Sequence, residues 1–335
     1  MPSTAEQIAK DLGVSVATVS RALNDRPGVG RDLRERIAAH ARELDYTPPV
    51  MARGLATSQT FNLGFFVHEK PGLPVAADPF YLEILTSAQQ VIARSDYHVA
   101  FEGLTDDVLA RPADFRFVRE RRIDAMVLAG PDIPASFILH MLRTGMPVIL
   151  VDNRLDFSPV NCVNSDDEQG AYRAARFLIE AGHQKIGVIA GPAGWASTTR
   201  RVQGYQRAAD EAGLVLNMVH ALETTIESGA AAFQQLMDQH PSLTALCAVN
   251  DSMAIGAIRA ARARGIQVPA DLSVIGFDDI AWAALNDPPL TTMRIPRVQM
   301  GREVAHRLLT LLEDSELLPA EIIVPVELVQ RGSTA

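Results

Sequence analysis

Cysteine, lysine and tryptophan are all scarce: the 335 residues hold two cysteines, two tryptophans and, among 31 basic residues, only three lysines. Cys162 and Cys247 each sit in a short apolar run ("VNCVN", "ALCAVN") with no clustered partner, which excludes a disulfide scaffold and a thiolate metal centre and leaves two buried thiols as the expectation. The lysine shortage reads as coding bias. No apolar run approaches the ~18 residues of a membrane helix, and "MPSTAEQIAKDLG" has neither the basic start nor the apolar core of a secretory signal, so a cytoplasmic protein is expected. Enzyme signatures are missing too: no G-x-G-x-x-G follows a strand, no phosphate loop carries a lysine ("GPAGWASTTRR" has none), and no H-E-x-x-H occurs. The eight histidines have no paired spacing and read as surface or helix-cap residues, so neither a metal nor a cofactor is expected.

The formal net charge of −9 argues against a general polyanion binder. It is uneven: residues 1–60 hold eight Lys+Arg against seven Asp+Glu, so the remainder carries −10. A near-neutral head on an acidic body allows nucleic-acid binding only through local placement of its basic groups. A chain of this length has two or three domains as its natural expectation.

The head, residues 1–46, reads as all-helical. Thr4 and Gln7 have capping-box spacing, and Ile8 and Leu12 give the first helix a buried stripe. Gly13 suits a sharp turn, and Ser15 caps a second helix whose Val19 and Leu23 face inward. Val16, Ala17, Thr18, Ser20 and Arg21 are then left outside. A third helix, about Arg31 to Leu44, presents Leu33, Ile37, Ala41 and Leu44. This is a helix-turn-helix arrangement. Small residues let such a helix approach base edges, Arg21 can bond both acceptors of a guanine edge, and Thr18, Ser20 and Asn24 suit phosphate oxygens. The same pattern also fits an ordinary three-helix bundle with a surface arginine. Residues 47–60, "TPPVMARGLATSQT", form a linker in which "VMARGLA" is too short to be a stable helix alone and reads as a segment that folds on contact, or as a plain tether.

From Phe61 short apolar runs alternate with amphipathic stretches of helical length, the pattern of parallel sheets flanked by helices. Strands are expected at "NLGFFV", "HVAFEG", "AMVLAG", "PVILVD", "KIGVIAG", "ALCAVN" and "LSVIGF", with "EIIVPVELVQR" as one last strand. A single helix is expected over Val108–Arg121. There are too many strands for one sheet, and turn residues gather at Asp152–Asn161, so two lobes are expected. Polar residues recur at strand C-terminal ends, where open α/β sheets bind ligands: Asp152, Asn250, Asp278 and Arg201, with Asp78, Phe80 and Tyr81 before the first body helix. Carboxylates, an amide, a guanidinium and aromatic faces suit a polyhydroxylated ligand. Each could equally be a helix cap. Trp195, beside Arg201, suits a sugar platform or a hydrophobic plug.

These segments together resemble the lactose-repressor/galactose-repressor (LacI/GalR) family of bacterial transcription regulators. The likeness rests on "IAKDLGVSVATVSRALN", "LDYTPPVMARGLATSQT", "LIEAGHQKIGVIAGP", "RRVQGY", "NDSMAIGAIRAARARGIQVPADLSVIGFDDI" and "PPLTTMRIPRVQMG", in family order across nearly the whole chain. It implies a helix-turn-helix head over 1–46, a hinge over 47–60 and an effector-binding and dimerisation body over 61–335 of the periplasmic-binding-protein type. Its N-lobe would hold about 61–160 and 291–320, and its C-lobe about 161–290 and 321–335. Ser15, Val16, Ala17, Thr18, Ser20, Arg21, Asn24, Arg53 and Leu55 would touch operator DNA, with Leu55 wedged into the minor groove. Asp78, Phe80, Tyr81, Asp152, Trp195, Arg201, Asn250 and Asp278 would surround the effector between the lobes. Pro49, where the family commonly has a polar hinge cap, and Gly54, which costs about 1 kcal/mol against Ala, make the hinge more dependent on DNA. The implied protein is a homodimeric, cytoplasmic repressor of sugar-utilisation genes, responding to a saccharide, with a purine-like corepressor as the alternative. An α/β enzyme acting on sugars or nucleotides is the distant competitor.

Overall fold

The computed structural model describes residues 5–24, 26–46, 59–69, 79–314 and 316–335. The head is three helices, α1 (Ala5–Leu12), α2 (Val16–Leu23) and α3 (Arg31–Glu43). Ile8, Val19, Ala22, Ile37 and Ala41 close a small core of their own, with Leu12, Leu23, Leu33 and Leu44 packed around it. Gly13 takes the turn with φ of 64°, a conformation that costs glycine nothing.

The body has two six-stranded sheets among the described residues. Its elements are β1 (Asn62–His68), α4 (Pro79–Ile92), β2 (His98–Leu104), α5 (Asp106–Ala110), α6 (Arg116–Arg119), β3 (Ala125–Ala129), α7 (Ala135–Arg143), β4 (Val148–Val151), β5 (Asn161–Ser165) and α8 (Asp167–Glu180). There follow β6 (Ile186–Ala190), α9 (Ala196–Glu211), β7 (Asn217–His220), α10 (Ile226–Gln239), β8 (Ala245–Ala248), α11 (Asp251–Ala263), β9 (Ser273–Asp278) and α12 (Ala281–Leu285). The chain ends with β10 (Thr291–Arg294), α13 (Arg297–Glu313), β11 (Glu321–Val324) and β12 (Glu327–Val329). The N-lobe sheet runs β11-β5-β4-β3-β1-β2, all parallel; the C-lobe sheet runs β12-β10-β9-β8-β6-β7, parallel except for β12.

Side-chain alternation builds the N-lobe layers. Leu63, Phe65, Val127, Ile149 and Val151 face α4 and α13, while Phe66, Met126, Leu128, Val148 and Leu150 face the opposite way, with Phe115, Phe117 and Phe137. In the C-lobe α8 packs on α9 so closely that a Cβ on Gly204 would lie 2.1 Å from the Glu168 carbonyl oxygen.

Three sequence expectations change. The stretch 108–121 is not one helix: α5 ends at Ala110, a 3-10 turn occupies Pro112–Asp114, and α6 follows, because Pro112 has no amide hydrogen to continue α5. "EIIVPVELVQR" splits around Pro325 into β11 and β12, one in each sheet. The lobe crossings therefore come a few residues later than expected: β5 lies in the N-lobe sheet, β10 in the C-lobe sheet and β11 in the N-lobe sheet.

Candidate DNA-reading helix and interlobe cleft

Ser15 caps α2, its Oγ accepting from the Thr18 amide at 3.1 Å, and the two hydroxyls bond each other at 2.8 Å. Val19 is fully buried, so rotation about the helix leaves Val16, Ala17, Ser20 and Arg21 exposed. Val16 is 44% exposed, unusual for a β-branched apolar side chain, and sits in the first turn where a base edge would be met. Asn24 donates from its side chain to the Ser20 carbonyl at 2.8 Å and closes the helix. Arg53, Leu55 and the rest of residues 47–58 lie outside the described residues, as does Asp78.

The second constellation forms where strand C-terminal ends of the two sheets meet. Arg201, on α9, is 7% exposed in its side chain. Its Nε donates to Asp167 Oδ1 at 2.8 Å, Nη1 donates to the Val249 carbonyl and to Asp278 Oδ1 at 3.2 Å, and the guanidinium lies 3.9 Å over the Phe277 ring. Burial opposes its charge, but Asp167, Asp278 and Asp152 outweigh that and hold its pKa above the ordinary value. Asp152, at the end of β4, accepts from the Tyr81 hydroxyl at 2.9 Å. Burial, and then the neighbouring charge of Asp167, push its carboxyl up to about 7. Asp167 is likewise raised by burial, against the pull of Arg201. Three carboxyl groups thus surround one guanidinium, Asp152 from the N-lobe and Asp167 and Asp278 from the C-lobe.

Backbone geometry holds these groups in place. Asp152, Asp278 and Asp279 all take positive φ, at 54°, 110° and 56°, which aspartate tolerates better than most residues. Behind Asp152, Asn153 donates to the carbonyls of Gly130 at 2.7 Å and Ile133 at 3.2 Å, and accepts the support of Asn164, whose Oδ1 takes the Asn153 amide hydrogen at 3.1 Å. Behind Asp278, the fully buried Asp251 accepts from the Ile280 amide at 2.9 Å and from Thr292 Oγ1 at 2.5 Å. Asp279 joins Arg294 and Arg331, both at 2.6 Å; burial raises its pKa, but these two hydrogen bonds outweigh burial and hold it below the ordinary value.

The structure brings Tyr81, Asp152, Arg201 and Asp278 together and sets Phe80 edge-on to Tyr81 at 5.1 Å. Asn250 is occupied locally: its Oδ1 caps α11 at the Met253 amide, 2.9 Å, and its Nδ2 donates to the Thr224 carbonyl at 3.2 Å. Trp195 stands half-buried at the N-cap position of α9. A separate surface cavity of about 410 Å³, lined by Arg154, Phe157, Pro159, Cys162, Pro319 and Glu321, contains none of the expected ligand residues.

Three residues escaped the sequence reading. Asp167 follows β5, a strand too polar to stand out. Arg297 joins Glu83 Oε2 at 2.6 Å to the backbone carbonyls of Asp278 and Asp279. His68, one of the scattered histidines, is only 16% exposed and bridges Asp132 at 3.0 Å and Asp106 at 2.9 Å at the end of β1, which raises its pKa, the hydrogen bond to Asp132 contributing most.

Comparison with known proteins gives two family matches. Residues 63–332 match the model for periplasmic binding proteins and the sugar binding domain of the LacI family, and residues 4–49 match the model for bacterial regulatory proteins, lacI family. The HTH-type transcriptional repressor CytR of Escherichia coli (strain K12) is 31% identical over 334 residues, covering 99% of this chain and 96% of CytR. Among solved structures, the lac repressor dimer bound to operator and the anti-inducer ONPF superposes with a TM-score of 0.80 at 26% identity, covering 100% and 99% of the two chains. A complex of the transcriptional regulator CelR with cellobiose gives 0.75 at 28% identity, covering 99% of each.

Proposed function

The chain belongs to the LacI family, a DNA-binding transcriptional repressor with a ligand-binding body and not an enzyme, and on that premise we propose that an uncharged saccharide in the interlobe cleft controls its hold on a palindromic operator. The observation that carries this reading is the buried Arg201 facing Asp152, Asp167 and Asp278. One donor fork among three carboxyl groups offers paired acceptors to vicinal hydroxyls, and its excess of acid disfavours phosphates and carboxylates. Phe80 and Tyr81 supply the apolar edge that a sugar ring requires.

Two copies of α2 would read two half-sites, with Arg21 on a guanine edge and Val16 and Ala17 against neighbouring bases, and Leu55 and Arg53 acting from the hinge. The two-fold symmetry of a homodimer dictates the palindrome. Trp282, 52% exposed, and Leu285, 81% exposed, both on α12, supply apolar surface for a second copy. The effector must bind the DNA-released and DNA-bound forms with different affinity to act at all. Such a regulator works in the cytoplasm, beside its DNA. A second reading keeps the regulator and replaces the sugar with a purine-like corepressor, stacked on the Phe80–Tyr81 pair.

The test is a thermal-shift screen of neutral mono- and disaccharides, uronates, sugar phosphates, nucleosides and nucleobases on the intact protein. A neutral sugar should raise the melting temperature by mass action and change affinity for a duplex selected by the protein from a random library. Stabilisation by sugar phosphates or uronates alone would overturn the effector class, and by nucleobases alone would establish the second reading. Arg21→Ala should abolish preference for the selected duplex while leaving the sugar response intact.

A further inference from the structure

Arg297 opens α13, three residues beyond the end of β10, where the chain crosses from the C-lobe sheet to the N-lobe. Its side chain is 12% exposed and every arm of the guanidinium is engaged. Nε donates to Glu83 Oε2 on α4 at 2.6 Å, in the N-lobe. Nη1 and Nη2 donate to the main-chain carbonyls of Asp278 and Asp279, the latter at 3.0 Å, at the end of β9 in the C-lobe. The guanidinium carbon also lies 5.8 Å from the centroid of Phe80, one turn before Glu83.

Both partners belong to walls of the cleft. Asp278 presents its carboxylate to Arg201 and its carbonyl to Arg297, so one residue with φ of 110° is shared between the ligand site and this strap. On the other side, the first turn of α4 carries Phe80 and Tyr81 toward the site and Glu83 toward Arg297. A rigid planar fork that holds two carbonyls and a carboxylate at once transmits a displacement of any one of them to the others; a flexible ammonium would not.

We propose that Arg297 is a positioning residue that mechanically couples the Asp278–Asp279 corner of the C-lobe to helix α4 of the N-lobe, so that what happens at the cleft floor is felt along α4. The consequence for regulation rests on the cleft being the effector site; the coupling itself does not. α4 packs along α13, with Gly301 so close that a Cβ would meet the Ile84 carbonyl oxygen at 2.3 Å, so movement of the first turn is passed to a helix pair that covers one face of the N-lobe sheet.

The test needs neither sugar nor DNA. Hydrogen exchange by mass spectrometry on the full chain follows amides 80–92 in wild type, Asp278→Asn, Arg297→Met and the double variant. Asp278→Asn disturbs the corner's side chain; its other route to α4, through Arg201, Asp152 and the Tyr81 hydroxyl, is cut by placing Tyr81→Phe in every variant and in the wild type with which they are compared. It should change exchange in α4 by about threefold or more in the wild-type background and leave it within experimental error in the Arg297→Met background, the size expected for residues coupled through one network. Glu83→Leu, which removes the acceptor of the α4 arm alone, should likewise abolish transmission and serves if Arg297→Met does not fold. An equal effect of Asp278→Asn in all backgrounds, or no effect of it on α4 in wild type, overturns the proposal. A failed sugar screen would refute the effector reading and leave this result standing.

Discussion

Asp152→Asn puts the electrostatics of the cleft to a quantitative test. Burial and the adjacent charge of Asp167 raise this carboxyl from 3.8 to about 7. The folded protein therefore keeps a proton that the unfolded chain has released. Stability from this proton is fully present below pH 3.8 and is lost as the pH rises through about 7. At roughly 1.4 kcal/mol for each pH unit, the whole effect is worth about 4 kcal/mol. Water reaches part of the side chain, and screening reduces the part lost between about pH 5 and pH 8 to roughly 1–2 kcal/mol. Asparagine imitates the protonated acid: the Tyr81 hydroxyl can still donate to its side-chain oxygen, and no charge is buried. The assay is urea unfolding at pH 5, 6, 7 and 8 and constant ionic strength, followed by the fluorescence of Trp195 and Trp282, both in the C-lobe. Stability of the variant relative to wild type should climb by about 1–2 kcal/mol across that range. A flat difference, or one that falls with pH, would show an ordinary carboxylate stabilised by Arg201 and would refute the account.

Three further outcomes follow from the same geometry. Arg201→Met leaves Asp167 and Asp278 without their cation and should cost about 3–5 kcal/mol in urea unfolding at pH 7, with recovery at acid pH as the carboxyls protonate; a loss independent of pH would point to packing instead. Gly204→Ala drives a methyl toward the Glu168 carbonyl at 2.1 Å and should lower stability by about 1–3 kcal/mol, read as a lower melting temperature; an unchanged melting temperature would mean α8 and α9 separate freely. His68 has its pKa raised chiefly by Asp132, so its contribution is fully present below its ordinary 6.5 and is lost as the pH rises through the raised value. His68→Gln should therefore destabilise at pH 6 and be close to neutral at pH 9; equal destabilisation at both would sink that assignment.

What the sequence showed depended on how local each feature is. The head was legible because cap, turn and stripe lie within a few residues of one another: Ser15, Gly13 and Val19 are enough to orient α2. Asp152 and Asp278 were legible because each ends an apolar run. Asp167 obeys the same strand-end rule, yet its strand, "NCVNS", holds only two apolar residues, Cys162 and Val163, between Asn161 and Asn164 and ends on Ser165. Those polar positions are not surface: Asn164 is buried, exchanging hydrogen bonds with the Asn153 backbone to hold the Asp152 corner. A strand that crosses between lobes must carry such groups, because it serves the floor of a polar site as well as a core. β10 was hidden for the same reason, its Thr291 and Thr292 fully buried against Ser333, Thr334 and Asp251. Arg297 lies furthest from sequence reading, since Glu83 is 214 residues away and its other partners are backbone carbonyls, which any residue possesses. The pattern has a physical cause. Side chains that bind can be inferred from their own chemistry and their place at an element's end. Side chains that link one lobe to the other take their meaning from partners that only the folded topology supplies, so the connections between the lobes are the part of this fold its sequence conceals most.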